Sequence, residues 1–574
     1  MANTYINHLG SIMNSNDSHS SARRFLANRM TSLLAVALSC LCACSPSGDG
    51  APLSTPTPGP GVNGGGSGTV ATGSLGGPVI LFTDAEAGPK QGGPNNHGVP
   101  IALFGTGFGA QRGTSTVTIN GVEVASYLVW GEHNANNAAL DMIVVQPGPA
   151  VTLGPVVVHV SGKDSNTDYT FAPTNGTVYY AAPTGSDTAA CVESSPCATI
   201  QHVVTNRMQP GDAVLIRGGT LTESEIWIRD ALGHSGQSGR PKLILNFPGE
   251  HPIFTNSARP FIVDANYITI SGLHFQNGKS IGLGSETSHG NHVFNSTFRG
   301  LIDWDAIGTH GYDHVLAGND CSVSGSTVGT QGHCYYISHG SNLKIRYNIG
   351  RGAPGYGLHI FDQRRATPDI QRIISNVLVE GNLFAGSTLR SGIIIAMNDE
   401  GNFGNYIDGI TLRNNILTGN NHLGVTIGGI VRNVQIDHNT FYKNGRQGLY
   451  IDNATTVDGI TIRNNLFDQT TNSNCTSNCS WYQEAHIQKG ATARNVTVST
   501  NYYAPAPMTL IGTTDTAGGA GLAGLVNGDG MDFHLQDTSS ALGRGMMLPS
   551  VLRDFEGLLR PTTTTPDPGA FEHR

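Results

Sequence analysis

One phrase recurs along this chain. It is clearest at Ile410–Asn420 (ITLRNNILTGN), Val434–Gly445 (VQIDHNTFYKNG) and Ile460–Thr470 (ITIRNNLFDQT). Each copy has apolar, mostly β-branched residues one position apart, then an Asn, another apolar residue and a polar turn. Weaker copies occupy Ile268–Gly278, His292–Gly300, His314–Cys321, Leu343–Gly352, Val377–Gly386 and Val496–Tyr503. Neighbouring copies lie roughly 22 to 36 residues apart, which is typical of stacked repeats.

A single copy is too short to bury its own apolar face, so the copies must stack into a solenoid. The period-2 alternation and the Gly or Asn corners indicate strands. Asn tolerates left-handed turns, and its amide can bond the same amide one repeat away. We expect such a ladder at Asn295, Asn319, Asn348, Asn382, Asn415, Asn439 and Asn465. The pattern predicts an all-β chain whose main body is a right-handed parallel β-helix. The alternative, a β-sandwich with Asn-rich turns, does not explain one phrase repeated so often.

Composition agrees with a turn-rich β protein. The 574 residues include 76 Gly, only 13% are charged, and the net charge is −9. A nucleic acid partner is not expected, because the chain lacks the basic excess of such proteins.

The N-terminal segment resembles a bacterial lipoprotein signal peptide spanning residues 1–44. Three arginines precede the apolar run Leu33–Leu41, which is too short for a usual transmembrane helix. The run leads into a lipobox-like sequence that makes Cys44 the lipidated residue, and Ser45 after it implies the outer membrane. Export with simple cleavage is the alternative. The resemblance implies an outer membrane lipoprotein at the periplasmic or cell surface, touching the membrane through its lipid anchor only. We expect a monomer. Residues 45–76 are a Gly/Pro/Ser/Thr linker.

Six of the nine cysteines lie outside the signal segment, as three pairs of near neighbours. In an oxidising compartment, such pairs predict local disulfides. We expect Cys191–Cys197, Cys321–Cys334 and Cys475–Cys479. Zinc binding is the rival interpretation, but no pair has a His at ligand spacing.

Residues 77–174 have the pattern of a small β domain. Strands are predicted at Pro100–Phe104, Thr116–Ile119 and Val156–Val160, separated by GTGFG and by an Asn-Gly hairpin turn. The order resembles the IPT/TIG immunoglobulin-like domain, which implies a β-sandwich used as a spacer or binding module. A phosphate-binding loop at GTGFG is disfavoured, because no Lys-Ser/Thr or helix follows.

Residues 175–530 then form the β-helix with an N-terminal cap. An amphipathic helix around Cys197–Met208 would cover the open end, and the segment resembles the cap of pectate-lyase-like proteins. Residues 531–574 are a closing segment. Its charged residues are read as a closing salt-bridge cluster rather than a site: Asp554, Arg560, Asp567 and Glu572.

A second short sequence pattern recurs along the chain, one strand away from the Asn-containing phrase. Aligning its copies predicts an inward stack of Ile337, Ile360, Ile395, Ile427, Ile451 and Ile487. The residues beside each isoleucine must then point outward, because side chains alternate along a strand. Rungs about 4.8 Å apart suit an extended polymer lying along that face.

The densest candidates for chemistry occur on the early rungs. The predicted catalytic residues are His333, Tyr336, His359, Asp362 and Asp305. The predicted substrate-binding residues are Asp303, His339, Arg364, Arg365, Tyr450 and Asp452. Histidine and tyrosine serve as acid or base, and arginine neutralises a carboxylate.

Three functions remain open from the sequence. The favoured one is a lyase that cleaves a uronic-acid-containing polysaccharide. A glycoside hydrolase would instead use paired carboxylates, with Asp303 or Asp305 opposite Asp362. The third is a surface adhesin or glycan-binding scaffold without catalysis. No cofactor is required by the pattern. Calcium is the one cofactor left open. The calcium-dependent pectate lyases use clustered Asp residues with a Lys base, but no Lys lies close in sequence to Asp303 and Asp305.

Overall fold

The computed structural model describes residues 77–573, apart from 134–139, 222, 224, 256–258, 279, 303, 327–328, 363–371, 399–403, 471–485, 507–511, 513 and 519–520. The signal segment, the linker and the pair Cys475 and Cys479 lie outside the described residues. None of the helices in the described ranges has the length and apolar character needed to cross a membrane.

The first described body is a two-sheet β-sandwich. One antiparallel sheet contains, in spatial order, Val79–Thr83, Ile101–Thr106, Asp141–Gln146 and Ser126–His133. The other contains Ala87–Pro89, Thr170–Thr174, Gly154–Val160, Thr116–Ile119 and Val122–Glu123, with Lys163–Asp164 beside the third of these. Residues pointing inward from both sheets, such as Leu103, Val117 and Val158, are fully buried. A short 3-10 turn lies at Pro94–Asn96.

The main body is a parallel β-helix in which each rung adds one strand to each of three faces. We number these faces sheets 1, 2 and 3. Sheet 1 contains Val178–Ala181, Ala213–Ile216, Lys242–Asn246, Ile268–Ser271, His292–Phe294, Val315–Ala317, the second part of His333–Arg346, Ile373–Glu380, Tyr406–Arg413, Val431–Asp437, Val457–Arg463 and Arg494–Ser499. Sheet 2 contains Gly219–Leu221, Pro252–Phe254, His274–Gly278, Thr297–Ile302, Asp320–Ser326, Ile349–Arg351, Leu383–Ala385, Ile416–Thr418, Thr440–Tyr442, Leu466–Asp468, Tyr502–Ala504 and Thr516–Ala517.

Sheet 3 positions the candidate site. It contains Ile226–Arg229, Phe261–Asp264, Ile281–Leu283, Asp305–His310, the first part of His333–Arg346, Leu358–Asp362, Ile393–Met397, Val425–Gly429, Leu449–Ile451 and Ile487–Lys489. Short 3-10 turns lie at Asp230–Leu232, Gly329–Gln331 and Gly528–Gly530, and a closing hairpin pairs Leu525–Asn527 with Asp532–Leu535. The predicted β-helix is therefore confirmed.

The predicted helix is present as Ile200–Asn206, at the N-terminal end of the solenoid. Thr199 caps it by accepting a hydrogen bond from the His202 backbone N–H, which satisfies one of the free donors of the first turn. Ile200, Val203 and Val204 are buried in the solenoid core.

Two of the predicted disulfides are also present, Cys191–Cys197 and Cys321–Cys334.

The Asn ladder forms within sheet-to-sheet turns. The Nδ2 of Asn319 donates to Oδ1 of Asn348 at 3.0 Å, and the same bond continues rung by rung through Asn382, Asn415, Asn439, Asn465 and Asn501. The prediction was wrong at Asn295. Ser296 takes the ladder position, and its backbone N–H donates to Oδ1 of Asn319. Asn295 instead fills the preceding left-handed position with φ of 45°, which Asn tolerates.

The predicted isoleucine stack is correct through Ile451 and wrong at Ile487. Strand pairing aligns Ile337, Ile360, Ile395, Ile427 and Ile451. The next residue in this register is Lys489, whereas Ile487 pairs with Leu449. The register shift of two residues keeps Ile487 pointing inward, because side chains along a strand alternate with a period of two residues.

The N-terminal sandwich covers part of the outer surface of sheet 1. Phe82 stacks on Phe294 and on Tyr347, with ring centroids 6.2 and 5.9 Å apart. Nη1 of Arg346 donates to the Tyr169 hydroxyl at 2.8 Å. The contact is therefore both apolar and hydrogen-bonded.

The closing segment covers the outer surface of sheet 2. The outward side chains of Ile349, Leu383, Ile416 and Tyr442 pack against Phe533, Phe555 and Phe571. Buried Arg560 holds the segment in place. Its Nη1 lies 2.9 Å from Oε2 of Glu572, and its Nη2 donates to Oδ1 of Asn414 at 3.0 Å. These charges close the fold, as the sequence predicted for this segment.

Candidate active site on the outer face of sheet 3

The outer face of sheet 3 carries a cluster of rings. Strand pairing aligns Tyr336 with His359, and their rings stack with centroids 4.8 Å apart. His333 lies 4.2 Å from His359, and Tyr356 and Phe361 stack on His359 at 5.0 and 5.1 Å. Tyr336 and His359 point outward because they alternate with the inward residues Tyr335, Ile337 and Ile360. His333, at the start of its strand, joins them through its ring contacts with both.

A glycine-rich turn fixes His333 in this cluster. The turn GAPGYG at 352–357 brings the Tyr356 backbone N–H to Nδ1 of His333, at 3.0 Å. A Cβ on Gly355 would overlap the His333 ring, so only glycine leaves the ring its place. Because Nδ1 accepts a hydrogen bond, the neutral ring carries its proton on Nε2.

His359 is held in its uncharged form. Burial, and then the charges of His333 and Arg390, keep the pKa of His359 well below its usual range. Its imidazole makes ring contacts but no hydrogen bond with any described residue, and Nδ1 is buried. A neutral imidazole without a hydrogen-bond partner can accept a proton from a bound molecule.

Asp305 joins the same face from the neighbouring rung. Its strand places it in register with His333, and Gly308 is in register with Tyr336. A Cβ on Gly308 would overlap the Asp305 carboxylate, so the carboxylate lies over the bare backbone of Gly308. Asp305 is therefore beside the ring cluster, as predicted.

The sequence prediction missed Tyr356, Arg390 and His422. Each lies in a turn from sheet 2 to sheet 3, and the backbone N–H of His422 donates to the Arg390 carbonyl on the adjacent rung. The guanidinium of half-buried Arg390 has no acidic partner among the described residues. Burial, then the charges of Arg446 and Arg390, lower the pKa of His422 to about 4. Aligning the glycine-bounded turns at 352–357, 386–392 and 419–424 would have revealed these positions.

Three other predicted residues, Tyr450, Asp452 and His339, do not join the cluster. Tyr450 occupies the same outward column but lies four rungs from Tyr336, roughly 19 Å away. Asp452 is adjacent to Tyr450, whose hydroxyl donates to Oδ1 of Asp452 at 3.4 Å. His339 lies at the next corner, with Nε2 3.4 Å from the Tyr312 hydroxyl. Asp303, Arg364, Arg365 and the side chain of Asp362 lie outside the described residues.

The described residues of this face offer no cluster of side chains that could bind calcium. The one group of His, Cys, Asp or Glu side chains close enough to share an ion in the described ranges is Cys191, Cys197 and His202. The two cysteines form a disulfide, so they offer no thiolate. Calcium therefore stays a sequence-based prediction without a described binding group.

No family model matches the chain, and no curated protein matches it. Solved structures of other proteins are similar to it. Pectate lyase Pel9A is 15% identical with a TM-score of 0.44, covering 69% of this chain and 96% of that chain. XylC in complex with xylose is 11% identical with a TM-score of 0.40, covering 69% and 98%. The family 28 exopolygalacturonase of Yersinia enterocolitica is 10% identical with a TM-score of 0.38, covering 74% and 99%.

Proposed function

We propose that the protein is a polysaccharide lyase that cleaves a uronic-acid-containing polymer on the outer face of sheet 3. The observation that carries this proposal is an uncharged, buried His359 stacked on Tyr336 and near the guanidinium of Arg390, which has no acidic partner among the described residues. A base, a hydroxyl acid and a fixed positive charge are what elimination next to a carboxylate requires.

The proposed reaction is a β-elimination. The guanidinium of Arg390 pairs with the uronate carboxylate, which stabilises the negative charge that develops beside C5. His359 removes the C5 proton, and the electron pair of the C5–H bond forms the C4–C5 double bond. The C4–O4 bond then breaks, and the leaving oxygen takes a proton from the Tyr336 hydroxyl. His333 orients the rings through its bond from the Tyr356 backbone.

Asp305 and Asp452 are too far apart to act as a hydrolytic pair. Glycoside hydrolases need two carboxyl groups about 5 to 9.5 Å apart. Among the described residues of this face, Asp305 and Asp452 are the buried carboxylates, and five rungs separate their strands, roughly 24 Å. In the proposed lyase, Asp305 orients Tyr336 or the substrate.

The test is digestion of a panel of acidic and neutral polysaccharides by the purified protein. A lyase generates new reducing ends together with the ultraviolet absorbance of an unsaturated uronide. New reducing ends without that absorbance would indicate that the protein is a hydrolase and not a lyase. Tight binding without cleavage across the panel would favour a glycan-binding scaffold.

We also propose that the enzyme acts outside the cytoplasm, anchored by a lipid on Cys44. The two disulfides Cys191–Cys197 and Cys321–Cys334 agree with an oxidising compartment. Labelling with a radioactive fatty acid should mark the wild-type protein and leave Cys44→Ala unlabelled. Equal labelling of both would contradict the anchor.

A further inference from the structure

Asp452 is a buried carboxylate on the outer face of sheet 3, beyond the ring cluster. Only 5% of the residue is exposed. Its Oδ1 accepts the Asn453 backbone N–H at 2.8 Å and the Tyr450 hydroxyl at 3.4 Å. No described residue donates to its Oδ2. A carboxylate has about four acceptor positions, so at least two remain for a ligand.

The surface beside Asp452 is bare. Gly428, on the preceding rung, has no side chain, and the atoms nearest to a Cβ built there are Cβ and Oδ2 of Asp452, at 3.6 and 3.8 Å. Half-buried Thr426 precedes this space, and its hydroxyl lies 2.9 Å from the Ser391 hydroxyl. Tyr450 is in register with Thr426 and borders the space on the same side, one rung further. The result is a recess lined by a carboxylate, hydroxyl groups and one aromatic ring.

The charge in this recess is negative, whereas the charge near the ring cluster is positive. Burial raises the pKa of Asp452, and no cation is among the groups that act on it. Arg390 lies two rungs earlier, roughly 10 Å along the solenoid axis, and at the opposite end of its strand. A uronate carboxylate placed at Asp452 would meet a like charge in a buried setting, which is unfavourable.

We propose that Asp452, Tyr450 and the bare surface at Gly428 form a second sugar subsite, which accepts an uncharged sugar through its hydroxyl groups. The proposal rests on the proposed function and deepens it. If Arg390 receives a uronate and Asp452 a neutral sugar, the substrate is a heteropolymer that alternates acidic and neutral residues. Sugar hydroxyls would donate to Asp452 Oδ2, and the Tyr450 ring would pack against the apolar face of the sugar.

The test is binding of defined oligosaccharides to the full chain carrying His359→Ala, which should bind without turnover. Alginate and polygalacturonate oligomers serve as homopolymers of uronic acid. Rhamnogalacturonan and hyaluronan oligomers serve as polymers that alternate uronic acid with a neutral sugar. We expect tighter binding of at least one alternating polymer, and we expect Asp452→Asn to weaken that binding about tenfold, because a hydrogen bond to a charged group is lost.

The matched control is Asp408→Asn. Asp408 lies on sheet 1, where its Oδ1 accepts the Asn433 side chain at 2.7 Å, so its loss should leave glycan binding unchanged. Thermal unfolding shows whether each variant folds, and Tyr450→Phe gives an independent second variant. Tighter binding of the homopolymers, or an Asp452→Asn protein that binds as before, would overturn the subsite.

The two proposals fail in different ways. Preferred binding of an alternating polymer that depends on Asp452, without cleavage by the wild type, would refute the lyase and keep the subsite. Cleavage of glycans without dependence on Asp452 would do the reverse. A wild-type protein that neither binds nor cleaves any of the polymers would refute both.

Discussion

The outer faces of sheets 2 and 3 are built on the same rungs but end in opposite surroundings. Sheet 2 presents Ile349, Leu383 and Ile416, which the closing segment buries. At the corresponding rungs, sheet 3 presents His359, Ile394 and Thr426. The inward side chains are apolar on both sheets. The solenoid core therefore does not depend on the outer positions of sheet 3, which are free to carry polar and aromatic groups.

The difference predicts that substitutions on the two kinds of surface act on different properties. Outer positions of sheet 3 should change activity at constant stability. Ladder positions and covered positions should change stability at constant activity per folded molecule.

The largest expected effect is that of His359→Ala. Removing a general base lowers the rate by about a thousandfold, so kcat should fall by that order while the melting temperature stays within a few degrees of wild type. Enzyme assays and thermal unfolding measure both. His251→Ala, at an exposed histidine just before the sheet 2 strand Pro252–Phe254, is the control and should retain full activity. An active His359→Ala protein would remove the proposed base.

The next effect is on stability. Asn415→Ala removes an amide whose Nδ2 donates to the Val379 carbonyl at 2.8 Å and to Oδ1 of Asn439 at 2.9 Å. Buried partners are left unpaired, which costs about 3 kcal/mol of unfolding free energy. Denaturant unfolding measures the loss. Asn433→Ala, at an exposed asparagine of sheet 1, should cost far less. An equal cost for both would show that the ladder adds nothing special.

Arg390 should affect the reaction by about a hundredfold. Loss of one group that stabilises developing charge has this size of effect on kcat/KM. We expect Arg390→Gln to lose this factor and Arg390→Lys to recover part of it, because a lysine restores the charge but not the fork of donors. Steady-state kinetics on the cleaved polymer measure both. An unchanged kcat/KM in Arg390→Gln would place the carboxylate receptor elsewhere.

The smallest effect concerns pH. The pKa of His359 lies well below its usual range, so the base form persists as pH falls through 6.5 and is lost only at more acidic pH. The acid limb of kcat/KM should accordingly lie well below pH 6.5. Arg390→Gln removes a nearby positive charge, so its acid limb should move toward higher pH. An acid limb near pH 6.5 in the wild type would mean that another group acts as base.

The β-helix and part of the site could be predicted from the sequence because both repeat. The Asn phrase recurs on successive rungs, and His333, Tyr336 and His359 lie in the phrase that defines the outward column of sheet 3. Asn295 was misplaced because a Ser at the next position fills the ladder equally well. Ile487 was misaligned because eighteen residues separate it from the previous strand, at Asp468, and no repeat bridges that interval.

Arg390 and His422 could not be found by strand periodicity. They lie in turns, where neither the period of two nor the apolar stack applies. Only the stacking of turns on adjacent rungs brings Arg390 near His359 and His422 near Arg390. The role of two glycines was equally hard to recognise from the sequence. Gly308 and Gly355 look like ordinary turn or strand glycines, yet each leaves room for a functional side chain, Asp305 or His333.

The most direct test of the proposed elimination is digestion of the cleaved polymer in water enriched in oxygen-18, followed by mass spectrometry of the products. A lyase breaks the C4–O4 bond without adding water, so the account predicts unsaturated products that carry no heavy oxygen from the bond-breaking step at early times. A hydrolase adds one water oxygen at every cleavage. Saturated products with one heavy oxygen per cleavage would contradict the account.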